Sequence, residues 1–273
     1  MNLVLAGTTG QRKVAEAMTY SLSAGGKRIR PILTVEFCRV CGGTVESAFP
    51  AACALEMIHT FSLIHDDLPC MDNDDMRRGK PSCHAAFGEA QALLAGDALL
   101  NFAYEVISGG EGVSAETKIA LIAELSKATG VNGMIGGQVI DTIFARKMTE
   151  DELLNMYSMK TGALLRCACK MGCIAAGAEN EKIAAAGLYA EKLGLAFQII
   201  DDILDVTGDE QLLGKPIGSD SDNGKTTYVT LNSIENSRRA AGVLTDEALK
   251  ALEAFENTEF LNELTLFLLK REY

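Results

Sequence analysis

The chain has 273 residues, 48% of them apolar, with 25 Lys and Arg against 37 Asp and Glu for a formal net charge of −12. That apolar content excludes a disordered chain. The acidic balance excludes nucleic acid as a partner, because a phosphate backbone demands clustered Lys and Arg.

No linker-like segment or break in composition divides the chain, so residues 1–273 read as a single domain. No uninterrupted apolar run reaches the roughly 20 residues of a membrane span, and no signal-peptide layout opens the sequence. The expectation is a cytoplasmic protein with no membrane span. The eight cysteines are scattered, and Cys38–Cys41 is a CxxC without a second pair at zinc spacing, which predicts reduced, buried thiols.

In chain order, Val14, Met18 and Leu22 recur every four residues, as on a one-sided helix. The segment GGKRIRP follows, with Lys27, Arg28 and Arg30 beside glycines that permit close backbone approach and Pro31 opening the next helix. Next comes an apolar run carrying His59, Phe61 and His65, which leads into DDLPCMDNDD with Asp66, Asp67, Asp72, Asp74 and Asp75. Pro69 disturbs the helix there, so two residues loop out and Asp72 returns beside Asp66. His59 lies two helical turns before Asp66 and shares its face, whereas His65 points elsewhere and reads as structural. Arg77 and Arg78 follow at once, in a pattern suited to bidentate phosphate recognition.

No proline falls between Pro81 and Pro216, a span that suits helices of many turns. Thr149 and Glu152 form a capping-box signature, and Lys160-Thr161 sits in YSMKTG. The stretch Leu188–Val206 is apolar on nearly every face and predicts a central buried helix. It carries Gln198 and a second acidic knot, Asp201, Asp202 and Asp205, in which Asp201 and Asp205 lie one turn apart on the face of Gln198. Lys215 and Lys225 lie in the polar segment beyond. No period-2 alternation appears, so no sheet is expected and the fold class is all-α.

The two knots begin 135 residues apart, each against apolar sequence. Carboxylates crowded into such surroundings repel one another and lose hydration, so they need protons or cations. Two clusters facing one cavity would hold hard divalent ions, with Mg2+ the best fit and Mn2+ also compatible with oxygen ligands. With basic residues nearby, that points to an enzyme acting on a diphosphate.

With GGKRIRP, HTFSLIHDDLPCMDNDDMRRGKPSCH, GMIGGQVID, KTG, FQIIDDILD, GKPIGSD and DNGKTTYV in this order, the chain resembles the trans-isoprenyl diphosphate synthases over nearly its whole length, and among them the bacterial farnesyl diphosphate synthases. The resemblance implies a bundle of long helices around a deep central cavity, in a homodimer. It implies that Asp66, Asp67 and Asp72 hold two Mg2+ ions and Asp201 a third. Arg77, Lys160, Lys215 and Lys225 would bind the allylic diphosphate, and Lys27, Arg30, His59 and Arg78 isopentenyl diphosphate. Thr161 and Gln198 would sit near the reacting carbon. Phe61 occupies the position of a chain-length-limiting aromatic, which favours farnesyl diphosphate as product. Geranylgeranyl diphosphate, a terpene cyclase and a non-catalytic partner subunit of a heteromeric synthase are the alternatives. Only 24 residues precede Gly25, fewer than the family has, so the first helix is expected to be short or to begin upstream.

Overall fold

The computed structural model describes residues 9–144, 147–207 and 225–269. The helices are α1 (Thr9–Leu22), α2 (Ile29–Val40), α3 (Val45–Asp66), α4 (Cys83–Phe87), α5 (Glu89–Gly109), α6 (Ala115–Thr129), α7 (Met134–Phe144) and α8 (Glu150–Tyr157). A π-helical turn (Ser158–Gly162) joins α8 to α9 (Ala163–Ala175). Then come α10 (Asn180–Thr207), α11 (Tyr228–Leu231), α12 (Ile234–Ala251) and α13 (Glu259–Leu269). Lys215 lies outside the described residues.

Some helices begin where side chains satisfy their first backbone N–H groups. Thr44 caps α3 reciprocally with Ser47, and Thr149 caps α8 with Glu152, as the sequence predicts. α3 packs against α2, α5 and α9, while α9 is flanked by α2, α6 and α10. One apolar core joins them, with Phe37, Leu55, Ile58, Leu99, Met171 and Tyr189 sealed from solvent. Gly172 sets the α2–α9 distance, because a Cβ there would collide with the Thr34 carbonyl oxygen.

Three expectations need correction. The chain does form strands: Met76–Arg77 pairs antiparallel with Lys80–Pro81, each two residues long and so too short to show a period. Arg78 (φ 54°) and Gly79 (φ 75°) form its tip, both in the left-handed region that such a tight hairpin demands. Second, α3 and α10 are both long and apolar enough to cross a membrane by length and composition. α3 is mostly buried inside the protein, whereas α10 has no exposed residue from Tyr189 to Asp205 but exposes Leu188 and Val206 on either side of that stretch. The helix expected to be buried over Leu188–Val206 is therefore open only at the two ends of that stretch. Third, all eight cysteines are free, as expected, but Cys70 is exposed.

Candidate active site

α3 ends at Asp66, and its apolar body holds that carboxylate at the wall of a cavity of about 620 Å³. The Asp72 backbone N–H donates to the Asp66 carbonyl at 2.8 Å, so the loop returns as the sequence predicts. The cavity lining is mostly apolar, including Phe61, Leu63, Leu68, Leu93, Met134, Val139 and Leu164. Its polar members are few: Arg30, His59, Asp66, Gln138, Lys160 and Thr161 among them. Phe61 is buried and sets its ring edge-on to His65, with centroids 5.5 Å apart. His65 lies 3.1 Å from the Leu93 carbonyl through Nε2. It is thus a packed residue that also lines the cavity.

Burial raises the Asp66 pKa to about 6, with Asp72 adding repulsion and Lys160 opposing both. Gln138 Nε2 donates to Asp66 Oδ1 at 2.7 Å, and Gln138 Oε1 is buried without a partner. Asp67 takes a different direction, since adjacent helical residues point about 100° apart. It is 2% exposed and accepts from Arg77 Nε at 2.9 and 3.2 Å and again from Arg77 Nη2. Arg77 also reaches Asp74 at 3.3 Å. The structure thus engages Asp67 with Arg77 instead of turning it to the cavity with Asp66.

A second group of cations surrounds His59. Burial, and then Arg30, Arg78, Arg28 and Arg77, hold its pKa well below the usual histidine value. Burial lowers Arg30 to about 10, and its Nε is buried with no hydrogen-bond partner. Arg28 pairs with Glu56 and donates to the Leu22 carbonyl at 2.6 Å. Arg78, at the hairpin tip, donates to the Gly25 carbonyl and lies against Gly26, where a side chain would collide with its guanidinium. Lys27 is exposed beside them. Arg28, Arg30 and Arg78 around a neutral imidazole, with Glu56 paired to Arg28 and Arg77 held by Asp67, leave an excess of positive charge suited to an anion.

The π turn carries Lys160 and Thr161. It fits against α7 only because Gly137 lacks a side chain, since a Cβ there would strike the Lys160 backbone. Lys160 Nζ donates to Asp141 Oδ2 at 2.6 Å, and Lys225 Nζ stands 3.9 Å from the same oxygen. Thr161 Oγ1 donates to Gln198 Oε1 at 2.9 Å. Lys160, Thr161, Gln198, Asp141 and Lys225 line a second, polar cavity of about 200 Å³. Lys160 and Thr161 belong to both cavities, which therefore meet at the π turn.

On α10, Asp201 is half-buried and Asp205 buried, one turn apart. Asp202 lines the polar cavity and accepts from Tyr157 Oη at 2.6 Å and the Tyr228 N–H at 2.7 Å. Among the described residues no three His, Cys, Asp or Glu side chains converge as a preformed metal cage. The donor set still fits a hard divalent ion: Asp66 and Asp72 repel one another as oxygen donors at one helix end, and such ions complete their shells with water and phosphate oxygens. Gln138 and Asp141 carry no role in the sequence reading. Their three-residue spacing, which puts both on one face of α7, is the signal that finds them.

An all-α bundle with an acidic helix end, convergent cations and an apolar cavity defines an enzyme that handles a prenyl diphosphate. The Polyprenyl synthetase family profile matches residues 11–264. A geranylgeranyl diphosphate synthase of Cyanophora paradoxa is 48% identical over 247 residues, covering 89% of this chain and 82% of that one. A farnesyl diphosphate synthase of Geobacillus stearothermophilus is 47% identical over 232 residues, covering 84% and 78%. The solved FPP/GFPP synthase of Zymomonas mobilis superposes with a TM-score of 0.86 at 35% identity, covering 97% and 91%. The chain belongs to the polyprenyl synthetase family and is a trans-prenyl diphosphate synthase.

Proposed function

We propose that the protein condenses isopentenyl diphosphate with dimethylallyl and then geranyl diphosphate to give farnesyl diphosphate. The observation that carries the product length is Phe61, buried in the cavity wall five residues before Asp66, where its ring limits a growing chain. Geranylgeranyl diphosphate is the second reading, supported by the activity named for the Cyanophora paradoxa relative.

In this reading Asp66, Asp72 and Asp201 hold Mg2+, with Asp67 acting on Arg77. Bound Mg2+ supplies positive charge against the leaving diphosphate. Lys160, Lys225 and Arg77 bind the allylic diphosphate, joined by Lys215. Arg30, His59, Arg78 and Lys27 bind isopentenyl diphosphate, and the neutral imidazole of His59 donates a hydrogen bond without adding charge. The allylic C–O bond breaks, its electron pair leaving with the diphosphate. The double bond of isopentenyl diphosphate then attacks the allylic cation, and a proton passes to the departed diphosphate. Thr161 and Gln198 fix the reacting end, while the apolar walls keep water from the cation.

Ile135, Val139 and Ile143 line the cavity yet are 38%, 48% and 66% exposed, so the cavity is open along α7. A second copy of the chain closing that side would keep a prenyl tail dry, which supports a homodimer. The whole chain acts as one domain in the cytoplasm.

The test is product analysis after incubating purified protein with Mg2+, labelled isopentenyl diphosphate and dimethylallyl diphosphate. A fifteen-carbon product supports the reading, and a twenty-carbon product moves the cavity floor beyond Phe61. No condensation by folded protein overturns the catalytic reading in favour of a partner subunit.

A further inference from the structure

Asp141 is a puzzle in a site read as binding a diphosphate. It is a carboxylate, its side chain is 13% exposed, and it lines the same polar cavity as Lys160, Lys225, Thr161 and Gln198. A fixed negative charge there opposes an incoming phosphate. We propose that Asp141 is a positioning residue, which holds the ammonium groups of Lys160 and Lys225 at one point so that an allylic diphosphate meets both together. The proposal rests on the diphosphate reading of these two lysines.

The backbones that deliver the three charges are all fixed. Gly137, one turn before Asp141, allows α7 to touch the π turn that carries Lys160. The segment that follows Lys225 is tied down twice. Thr226 Oγ1 accepts from the Lys147 and Met148 N–H groups at 3.0 and 3.3 Å, and the Tyr228 N–H donates to Asp202. The two lysine stems remain to be ordered. Each is a flexible four-carbon chain that loses rotamer freedom when held, and two converging ammoniums repel. Asp141 Oδ2 opposes both effects: it accepts from Lys160 Nζ at 2.6 Å and draws Lys225 Nζ to 3.9 Å. The trio keeps one net positive charge, and the cost of ordering the lysines falls before substrate arrives. Asp202 adds a second carboxylate to the cavity wall but is engaged by the Tyr157 hydroxyl and the Tyr228 N–H.

Positioning and simple repulsion predict opposite signs. If Asp141 only repels phosphate, Asp141→Asn tightens binding; if it positions the lysines, Asp141→Asn weakens it. The experiment is calorimetric titration of metal-free protein with inorganic pyrophosphate, for the unaltered protein, Asp141→Asn, Lys160→Ala and the double variant. The expected result is about tenfold weaker binding for Asp141→Asn, with a higher KM for the allylic substrate and a much smaller further loss in the Lys160→Ala background. Unchanged or tighter binding by Asp141→Asn overturns the proposal, as does an undiminished loss in the double variant. Should the amide destabilise the fold, Asp141→Ser removes the same charge and is read by the same outcomes. Lys160→Ala binding pyrophosphate like the unaltered protein would instead defeat the diphosphate reading itself.

Discussion

Gln138 Nε2 donates to Asp66 Oδ1 at 2.7 Å, which joins α7 to the acidic end of α3. A carboxylate can only accept, so the bond fixes which end of the amide faces it. It orients one carboxylate of the proposed metal site, and such supporting contacts are worth about ten- to a hundredfold in metal affinity. Gln138→Leu is expected to weaken Mg2+ binding by that factor with little change in fold. Calorimetric Mg2+ titration, with circular dichroism as the fold control, checks it.

The raised pKa of Asp66, about 6 and due first to burial, gives a pH dependence with a definite sign. From about pH 4 to about pH 6 the folded protein keeps a proton that the unfolded chain has lost. The group's contribution to metal-free stability therefore falls as pH rises through that window. A cation requires the ionised carboxylate, so Mg2+ affinity should climb over the same window and level off above about pH 7. Mg2+ titrations at about pH 5 and pH 7.5 check the direction, and equal affinities would contradict it.

Phe61→Ala should lengthen the product, because the ring borders a cavity that already exists. For the same reason the stability loss should fall below the roughly 3–5 kcal/mol of a Phe→Ala change in a solid core. Chromatography of the dephosphorylated products and a denaturant melt check the two halves separately.

Gly137→Ala places a methyl group against the Lys160 backbone. Helix and π turn must then separate, at a cost of about 1–3 kcal/mol, and Lys160 and Thr161 move with the turn. Turnover should fall at least tenfold, beyond the loss of stability. Activity assayed well below the melting temperature distinguishes the two.

The two neighbours in the second acidic motif should separate by phenotype. Asp202→Ala leaves the Tyr157 hydroxyl and the Tyr228 N–H without their acceptor, which costs about 1–3 kcal/mol per buried group. Asp201→Ala should lower turnover and Mg2+ affinity with the melt unchanged. Thermal denaturation and kinetics of both variants decide the assignment.

The sequence by itself determined the helices, the acidic motifs and the family, because apolar spacing, capping residues and motif order are properties of the chain. The capping box at Thr149 and the return of Asp72 to Asp66 were legible for that reason: both are local. What α7 does was not. Gln138 and Asp141 acquire roles only from residues far away in sequence, Asp66, Lys160 and Lys225, which meet them across helix contacts. The hairpin under Arg78 was hidden because two-residue strands leave no period. Tertiary structure alone also parted the paired aspartates. Neighbours on a helix diverge by about 100°, so which of Asp66 and Asp67, or of Asp201 and Asp202, meets a cavity depends on how the helix is rotated against its packing partners.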